Sequence, residues 1–134
     1  MNKLFEQFRA IFSTNSSGKT SEPKGNAVKN ITATQAMELI KRPEAGKPIS
    51  IIDVRTPREF TSGHLRGAKN IDMSSRDFNT RIGQLDKSKT YLVYCHVGGR
   101  SSRAASVMQN NGFNSLYNLS GGIVKWSGMK LPVE

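Results

Sequence analysis

Residues 90–112 read TYLVYCHVGGRSSRAASVMQNNG, and this stretch decides the fold. Its first five residues, Thr90–Tyr94, are aromatic and β-branched and predict a buried strand. Residues 101–111 predict a helix, and Gly112 is placed to end it. A strand that leads into a helix is half of a βαβ unit, so we expect a mostly parallel sheet covered by helices. In such a sheet the turn after the strand, which begins with Cys95, lies at the ligand-binding edge.

The remainder of the chain alternates between strand and helix patterns. Thr32 with Gln35, and Thr56 with Glu59, have the spacing of capping boxes, and Pro57 suits the first position of the second helix. The pattern predicts further strands at residues 49–54, 68–72 and 115–119, and further helices at residues 34–41, 77–85 and 121–127. We therefore predict an α/β fold with three layers, in which helices cover both faces of a central, mostly parallel sheet.

The N-terminal part of the chain differs from the rest. Residues 1–12, MNKLFEQFRAIF, predict a short amphipathic helix, and residues 13–27 have the polar composition of a flexible linker. The folded domain is expected at residues 28–134. Glu6 and Arg9 interrupt any apolar core of a secretory signal. The short helix is expected either to dock on its own domain or to bind a membrane surface or a protein partner.

The composition excludes several classes of protein. A chain of 134 residues that is 36% hydrophobic and has no long apolar run predicts one globular domain without a membrane span. One cysteine cannot form an intramolecular disulfide, and two histidines make a metal site improbable. The net charge of +10 is spread along the chain, so we expect small anions as ligands rather than nucleic acid. A lone thiol and no secretory signal indicate a cytoplasmic protein.

The turn after the strand combines the features of a reactive thiol. At the start of a helix, backbone N–H groups form a cradle for anions, and such a cradle favours the thiolate of Cys95. Gly98 and Gly99 allow unusual backbone angles and close approach of an anion. Arg100 adds a positive charge, and Ser101 adds a hydroxyl. The pattern predicts nucleophilic catalysis by cysteine.

Over about residues 28–133 the chain resembles a rhodanese homology domain. Three segments carry the resemblance: IIDVRTPREFTSGHLRGAKNI at residues 51–71, YCHVGGRSSRAA at residues 94–105 and LSGGIVKW at residues 119–126. The resemblance implies a central five-stranded sheet and a Cys95 that receives sulfur as a persulfide and passes it on. It implies a small anionic donor such as thiosulfate, a thiol or cyanide as acceptor, and no metal or organic cofactor.

For this family the loop after the nucleophile cradles the persulfide through its amides. The candidate binding residues are therefore His96, Val97, Gly98, Gly99, Arg100 and Ser101. The side chain of His96 is expected at the mouth of the cleft, where it would tune the thiolate rather than enable the reaction.

Asp53 and Arg55 are candidate supporting residues, since they follow the neighbouring strand at the same edge of the sheet. Asp53 is expected to accept hydrogen bonds from the active loop, to pair with an arginine there, or to cap the turn at Thr56. Arg55 is expected either to bind an anionic substrate or, as we favour, to pair with Asp53 or Glu59. His64 is expected to bond to backbone at its turn, and Trp126 to pack in the core.

Three other functions compete with sulfur transfer. Related phosphatases and arsenate reductases have a loop of the pattern C-x5-R. In this chain Cys95 and Arg100 have the spacing C-x4-R, and this shorter loop suits a single sulfur atom better. A binding module that docks a partner, or passes sulfur only within a complex, is the main alternative to an enzyme. A thiol sensor of peroxide is disfavoured because no second cysteine is present.

Overall fold

The computed structural model describes residues 27–134. Along these residues the elements are β1 Lys29–Ile31, α1 Ala33–Lys41, a 3-10 turn Glu44–Gly46, β2 Ser50–Asp53, α2 Pro57–Thr61, β3 Lys69–Asn70, α3 Phe78–Gly83, β4 Thr90–Tyr94, α4 Gly99–Asn110, β5 Ser115–Leu119 and α5 Gly122–Gly128. The predicted helix of residues 1–12, and all of the predicted linker except its last residue, lie outside the described residues.

The five strands form one sheet in the order β1-β5-β4-β2-β3, and every neighbouring pair is parallel. The carboxyl ends of β2 and β4 lie side by side, with Asp53 opposite Tyr94. The predicted α/β fold is therefore confirmed, and the residue that follows β4 is at the edge of the sheet where such folds bind ligands.

Two apolar layers cover the sheet. One face packs on α1 and α5 through residues such as Leu39 and Trp126, and the other packs on α3 and α4 through Ile82 and Met108. Trp126 is buried, as expected, and its Nε1 donates to the carbonyl of Pro132 at 2.9 Å. No helix in the described part of the chain combines the length and the apolar character needed to cross a membrane.

The local start signals are confirmed. Thr32 and Thr56 each cap a helix, and in both cases the side chain three residues later bonds back to the cap amide. The second of these capping boxes places Glu59 in the first turn of α2, next to Pro57. From this position Glu59 reaches Arg100, in the segment that follows β4.

The strand and helix limits differ from prediction at informative places. The chain enters the sheet through β1, which the sequence pattern did not locate because KNI is short and polar at two of three positions. The helix predicted at residues 101–111 begins two residues earlier, at Gly99, because the amide of Ser102 already donates to the carbonyl of Gly98 at 3.1 Å. The turn between Tyr94 and the helix is therefore only four residues long.

Candidate active site

Cys95 lies at the end of β4 with its sulfur turned into the loop that follows. The residue is only 1% exposed. Its Sγ accepts hydrogen bonds from the backbone amides of Gly98 at 3.1 Å and Ser101 at 3.4 Å. Sulfur that accepts two amide N–H groups at a helix start is held where negative charge is favoured.

Gly98 makes this geometry possible. Its φ of +121° belongs to a region that L-amino acids with side chains rarely adopt. A Cβ there would make only ordinary contacts, at 3.6 Å from the amide nitrogen of Gly121 and 3.8 Å from the carbonyl of Leu119, so the backbone angle is what requires glycine. The backbone conformation of Gly98 lets its N–H reach the sulfur of Cys95 while the residue stays next to Leu119 and Gly121.

The pKa of the Cys95 thiol is lowered by this environment. Burial on its own raises the pKa, but hydrogen bonds from the Ser101 hydroxyl and from the amides of Ser101, Gly98 and Arg100 outweigh that effect. The thiolate is the nucleophilic form of cysteine, so the loop prepares the residue for attack on an electrophilic centre.

The first turn of α5 fixes the outer side of the loop. The amide of Ile123 donates to the carbonyl of Cys95 at 3.0 Å, and the amide of Val124 donates to the carbonyl of His96 at 3.2 Å. These two bonds attach the first residues of the loop to α5. His96 and Val97 themselves are exposed.

The guanidinium of Arg100 is bound by an acid of the neighbouring helix. Its Nη1 and Nη2 donate to the two carboxylate oxygens of Glu59 at 2.8 and 3.0 Å. Glu59 Oε1 also accepts from the amide and the hydroxyl of Thr56. The bond from Arg100 is the main reason that the pKa of Glu59 falls to about 2. The amide of Arg100 therefore supports the thiolate while its side chain links α4 to α2.

Asp53 and Arg55 form a buried network beside β4. Asp53 is fully buried, and its carboxylate accepts from the amide of Arg55 at 2.9 Å and from the guanidinium at 2.7 to 3.0 Å. It also accepts from the hydroxyl of Tyr94 at 2.6 Å. Arg55 thus pairs with Asp53. The Asp53 carboxylate thus bonds to Arg55 and Tyr94, its bond to the Arg55 amide lies in the turn just before Thr56, and Thr56 itself caps α2.

His64 lies on the turn after α2. Its ring stacks on Phe60 at 3.7 Å between centroids, and its Nδ1 is 3.0 Å from the carbonyl of Phe60. This is the expected bond to backbone. The sequence did not predict that Glu59 pairs with Arg100 or that the hydroxyl of Tyr94 bonds to Asp53. The capping-box spacing of Thr56 and Glu59 predicted the position of Glu59 in the first turn of α2, but it did not predict that Arg100 is its partner.

Among residues 27–134 no group of three or more His, Cys, Asp or Glu side chains is arranged to hold a metal ion. The site consists of backbone amides, the thiol of Cys95, the hydroxyls of Ser101 and Tyr94, and two ion pairs.

Comparison with known proteins agrees with this geometry. The family model described as "Rhodanese-like domain" matches residues 32–129. The chain belongs to the rhodanese-like domain family. The rhodanese-related protein from Thermoplasma volcanium, known from a crystal structure, shares the fold with a TM-score of 0.67 and 29% identity, over 79% of this chain and 97% of that one.

Two curated relatives show how far the rhodanese-like similarity extends. The uncharacterized protein YqhL of Bacillus subtilis is 42% identical over 78 residues, which are 58% of this chain and 60% of YqhL. The thiosulfate sulfurtransferase GlpE of Pseudomonas putida is 35% identical over 99 residues, which are 73% of this chain and 84% of GlpE. The chain thus spans less than two thirds of YqhL and most of GlpE.

Proposed function

We propose that this rhodanese-like protein is a sulfurtransferase that carries sulfane sulfur as a persulfide on Cys95. The observation that carries the proposal is the sulfur of Cys95 held by the amides of Gly98 and Ser101, with the pKa of the thiol lowered. The similarity to a protein named thiosulfate sulfurtransferase supports the same reaction class. The proposed donor is a small anion such as thiosulfate, and the proposed acceptor is cyanide or a thiol.

In the loading step the Cys95 thiolate attacks the outer sulfur of thiosulfate. A new S–S bond forms, the S–S bond of thiosulfate breaks, and sulfite leaves with its electron pair. The outer sulfur of the resulting persulfide carries one negative charge. The inward-facing amides of the loop and the N-terminal end of α4 stabilise that charge.

In the unloading step the acceptor attacks the outer sulfur of the persulfide. Its electron pair forms the new bond to sulfur, and the pair of the broken S–S bond stays on Cys95 Sγ. With cyanide as acceptor the product is thiocyanate, and the thiolate is regenerated. The lowered pKa of Cys95 makes its thiolate a good leaving group in this step.

In this proposal Cys95 is the catalytic residue, and the segment His96–Val97–Gly98–Gly99–Arg100–Ser101 binds the outer sulfur and the donor. Asp53 and Arg55 support the loop indirectly: Arg55 pairs with Asp53, and Asp53 bonds the hydroxyl of Tyr94, the residue before Cys95. The short C-x4-R loop suits one sulfur atom rather than a tetrahedral phosphate, so sulfur transfer is favoured over phosphate hydrolysis. The chemistry requires no metal or organic cofactor.

The proposed compartment is the cytoplasm, where the thiol of Cys95 stays reduced. Residues 1–12 remain a candidate contact for a membrane surface or a protein partner. Pelleting with anionic vesicles, compared between the full chain and a chain without residues 1–12, tests the membrane contact.

Intact-protein mass spectrometry after incubation with thiosulfate tests the mechanism. Cys95 is the only cysteine of the chain, so an added sulfur atom has a single thiol to occupy. We expect the wild-type protein to gain one sulfur atom, and cyanide to remove it with release of thiocyanate. Cys95→Ser is the matched control and should gain none. If neither thiosulfate nor polysulfide produces an adduct, the enzyme is excluded and the non-catalytic binding module takes its place.

A further inference from the structure

Asn118 is a buried polar residue that the proposed reaction does not use. It lies in β5, among the residues SLYNL, and is only 4% exposed. Asparagine is disfavoured in strands, and a buried amide without partners destabilises a fold. A polar side chain at such a position calls for a reason beyond packing.

Both ends of the Asn118 amide are bonded, and one end leads to the active loop. Its Oδ1 accepts from the hydroxyl of Ser101 at 2.6 Å, and its Nδ2 donates to Oδ1 of Asn30 at 2.9 Å. Asn30 is the partner of Asn118 in the register of β1 with β5, and it is exposed. A chain of polar groups thus runs from the edge strand to the residue whose amide bonds the sulfur of Cys95.

The hydroxyl of Ser101 has one proton, and two oxygen acceptors lie within hydrogen-bond distance of it. In the structure its short bond goes to Asn118, while the carbonyl of Gly98 lies at 3.2 Å. The amide of the same residue bonds the sulfur of Cys95 at 3.4 Å, and its side chain is among the causes that lower the pKa of the Cys95 thiol. A hydroxyl donates to one strong acceptor at a time, and it prefers a charged acceptor to a neutral one.

We propose that Asn118 is a positioning residue whose amide oxygen competes with the sulfur of Cys95 for the hydroxyl proton of Ser101. When the sulfur of Cys95 is neutral, the hydroxyl donates to Asn118. When the sulfur is a thiolate, the hydroxyl turns to it. In the persulfide the charge lies on the outer sulfur, so the hydroxyl turns back to Asn118; this last step rests on the proposed sulfur transfer.

The competition predicts pKa changes of opposite sign at two neighbouring residues. Asn118→Leu removes the competing acceptor, so the hydroxyl serves the thiolate more fully and the pKa of Cys95 falls by about half a unit. Ser101→Ala removes the donor, so the pKa of Cys95 rises by about one unit. In Ser101→Ala/Asn118→Leu the pKa should equal that of Ser101→Ala, because no hydroxyl remains to be redirected.

The measurement is a pH titration of the thiolate by its ultraviolet absorbance, without any sulfur donor, with Cys95→Ser as blank. Turnover is a poor readout, because a half-unit change in thiol pKa alters nucleophilicity by about a factor of two or less. Since no donor is present, the outcome is independent of whether Cys95 forms a persulfide.

The charged and titratable groups on the elements around the loop are common to the compared variants, so their contributions cancel in the differences. They are Arg58 and Glu59 on α2, Arg100 and Arg103 on α4, Lys125 on α5, Asp53, Arg55, Tyr94 and His96. The titrations are repeated in a His96→Gln background, so that the imidazole next to the thiol contributes nothing to the curve.

Asn79→Leu makes the same chemical change at an exposed position of α3 and should leave the pKa of Cys95 unchanged. Asn30→Ala removes the bond that ties the Asn118 amide to the edge strand, and we expect it to lower the pKa of Cys95 by less than Asn118→Leu does. If Asn118→Leu does not fold, Asn30→Ala is the deciding variant. An unchanged or raised pKa in the deciding variant would overturn the proposal. So would an equal fall when Asn118→Leu is combined with Ser101→Ala.

Discussion

Glu59 holds the guanidinium of Arg100 through two hydrogen bonds of 2.8 and 3.0 Å, and it does so from the first turn of α2. The only arginine of the active loop is therefore neutralised by a neighbour. The pKa of Cys95 is lowered, against the effect of burial, by hydrogen bonds from the Ser101 side chain and from the backbone amides at the start of α4.

Releasing Arg100 should strengthen the binding of an anionic donor. In Glu59→Gln the side chain can still accept from Thr56, but the negative charge beside Arg100 is gone. We expect the KM for thiosulfate to fall about threefold, as for one screened surface charge, and the effect to shrink as salt is added. Steady-state kinetics at several ionic strengths measure this.

The matched control is Glu38→Gln, which removes an acid of α1 that pairs with Arg42. It should leave the KM for thiosulfate unchanged. A higher KM together with a lower kcat in Glu59→Gln would show instead that the ion pair holds the loop in its active shape.

The same ion pair predicts how stability responds to acid. The pKa of Glu59 is lowered from 4.5 to about 2 in the folded protein, chiefly by Arg100. A lowered folded pKa means that the stabilisation is complete above about pH 4.5 and is lost as the pH falls toward 2. A third of the carboxylate side chain is exposed, so solvent screening limits the effect to about 1 kcal/mol.

Urea unfolding of the wild type and of Glu59→Gln at a series of pH values measures this contribution. The difference in unfolding free energy should be largest near neutral pH and should vanish at the acid end. A difference that stays constant over the whole acid range would contradict the assignment of the pKa shift to Glu59.

Tyr94 stabilises the fold through its hydroxyl, which donates to Asp53 at 2.6 Å and accepts from the amide of Leu65 at 3.0 Å. Tyr94→Phe leaves a buried carboxylate with one bond fewer and a buried amide without its partner. We expect a loss of about 2 to 3 kcal/mol of unfolding free energy, measured with urea.

Tyr91→Phe is the matched control in the same strand. The hydroxyl of Tyr91 donates to the carbonyl of Asp86 in a part-buried position, and we expect a loss below about 1 kcal/mol. Equal losses would show that the network beside Asp53 has no special weight.

Much of this architecture follows from local sequence rules. The strand Thr90–Tyr94 and the capping boxes at Thr32 and Thr56 were located from residue types and spacing. These features depend on neighbours within a few residues, which the sequence displays directly. The position of Cys95 at the sheet edge follows from the parallel topology.

The partners of the site side chains were beyond local rules. Glu59 and Arg100 are 41 positions apart in the sequence, as are Asp53 and Tyr94, and this distance gives no periodic signal. Asn118 and Ser101 meet only because β5 lies next to β4 and under α4. Such contacts depend on the sheet order, which places strands of distant sequence side by side.

Gly122 provides the sharpest test of the contact between α5 and the active loop. Its φ is +55°, and a Cβ there would lie 2.3 Å from the carbonyl oxygen of His96 and 2.6 Å from that of Cys95. Both contacts are with backbone, so the loop itself would have to move. We expect Gly122→Ala to lower the unfolding free energy by about 2 kcal/mol or more and to reduce kcat/KM for thiosulfate at least tenfold.

Gly128 is the matched control, because it ends the same helix and a Cβ there meets no atom within 4 Å. Gly128→Ala should change the unfolding free energy by less than about 1 kcal/mol and leave the kinetics unchanged. Thermal unfolding and thiosulfate kinetics on both variants distinguish the two positions. If Gly122→Ala keeps full activity, the amides of Ile123 and Val124 do not hold the loop carbonyls in the active arrangement, and the loop keeps its shape without α5.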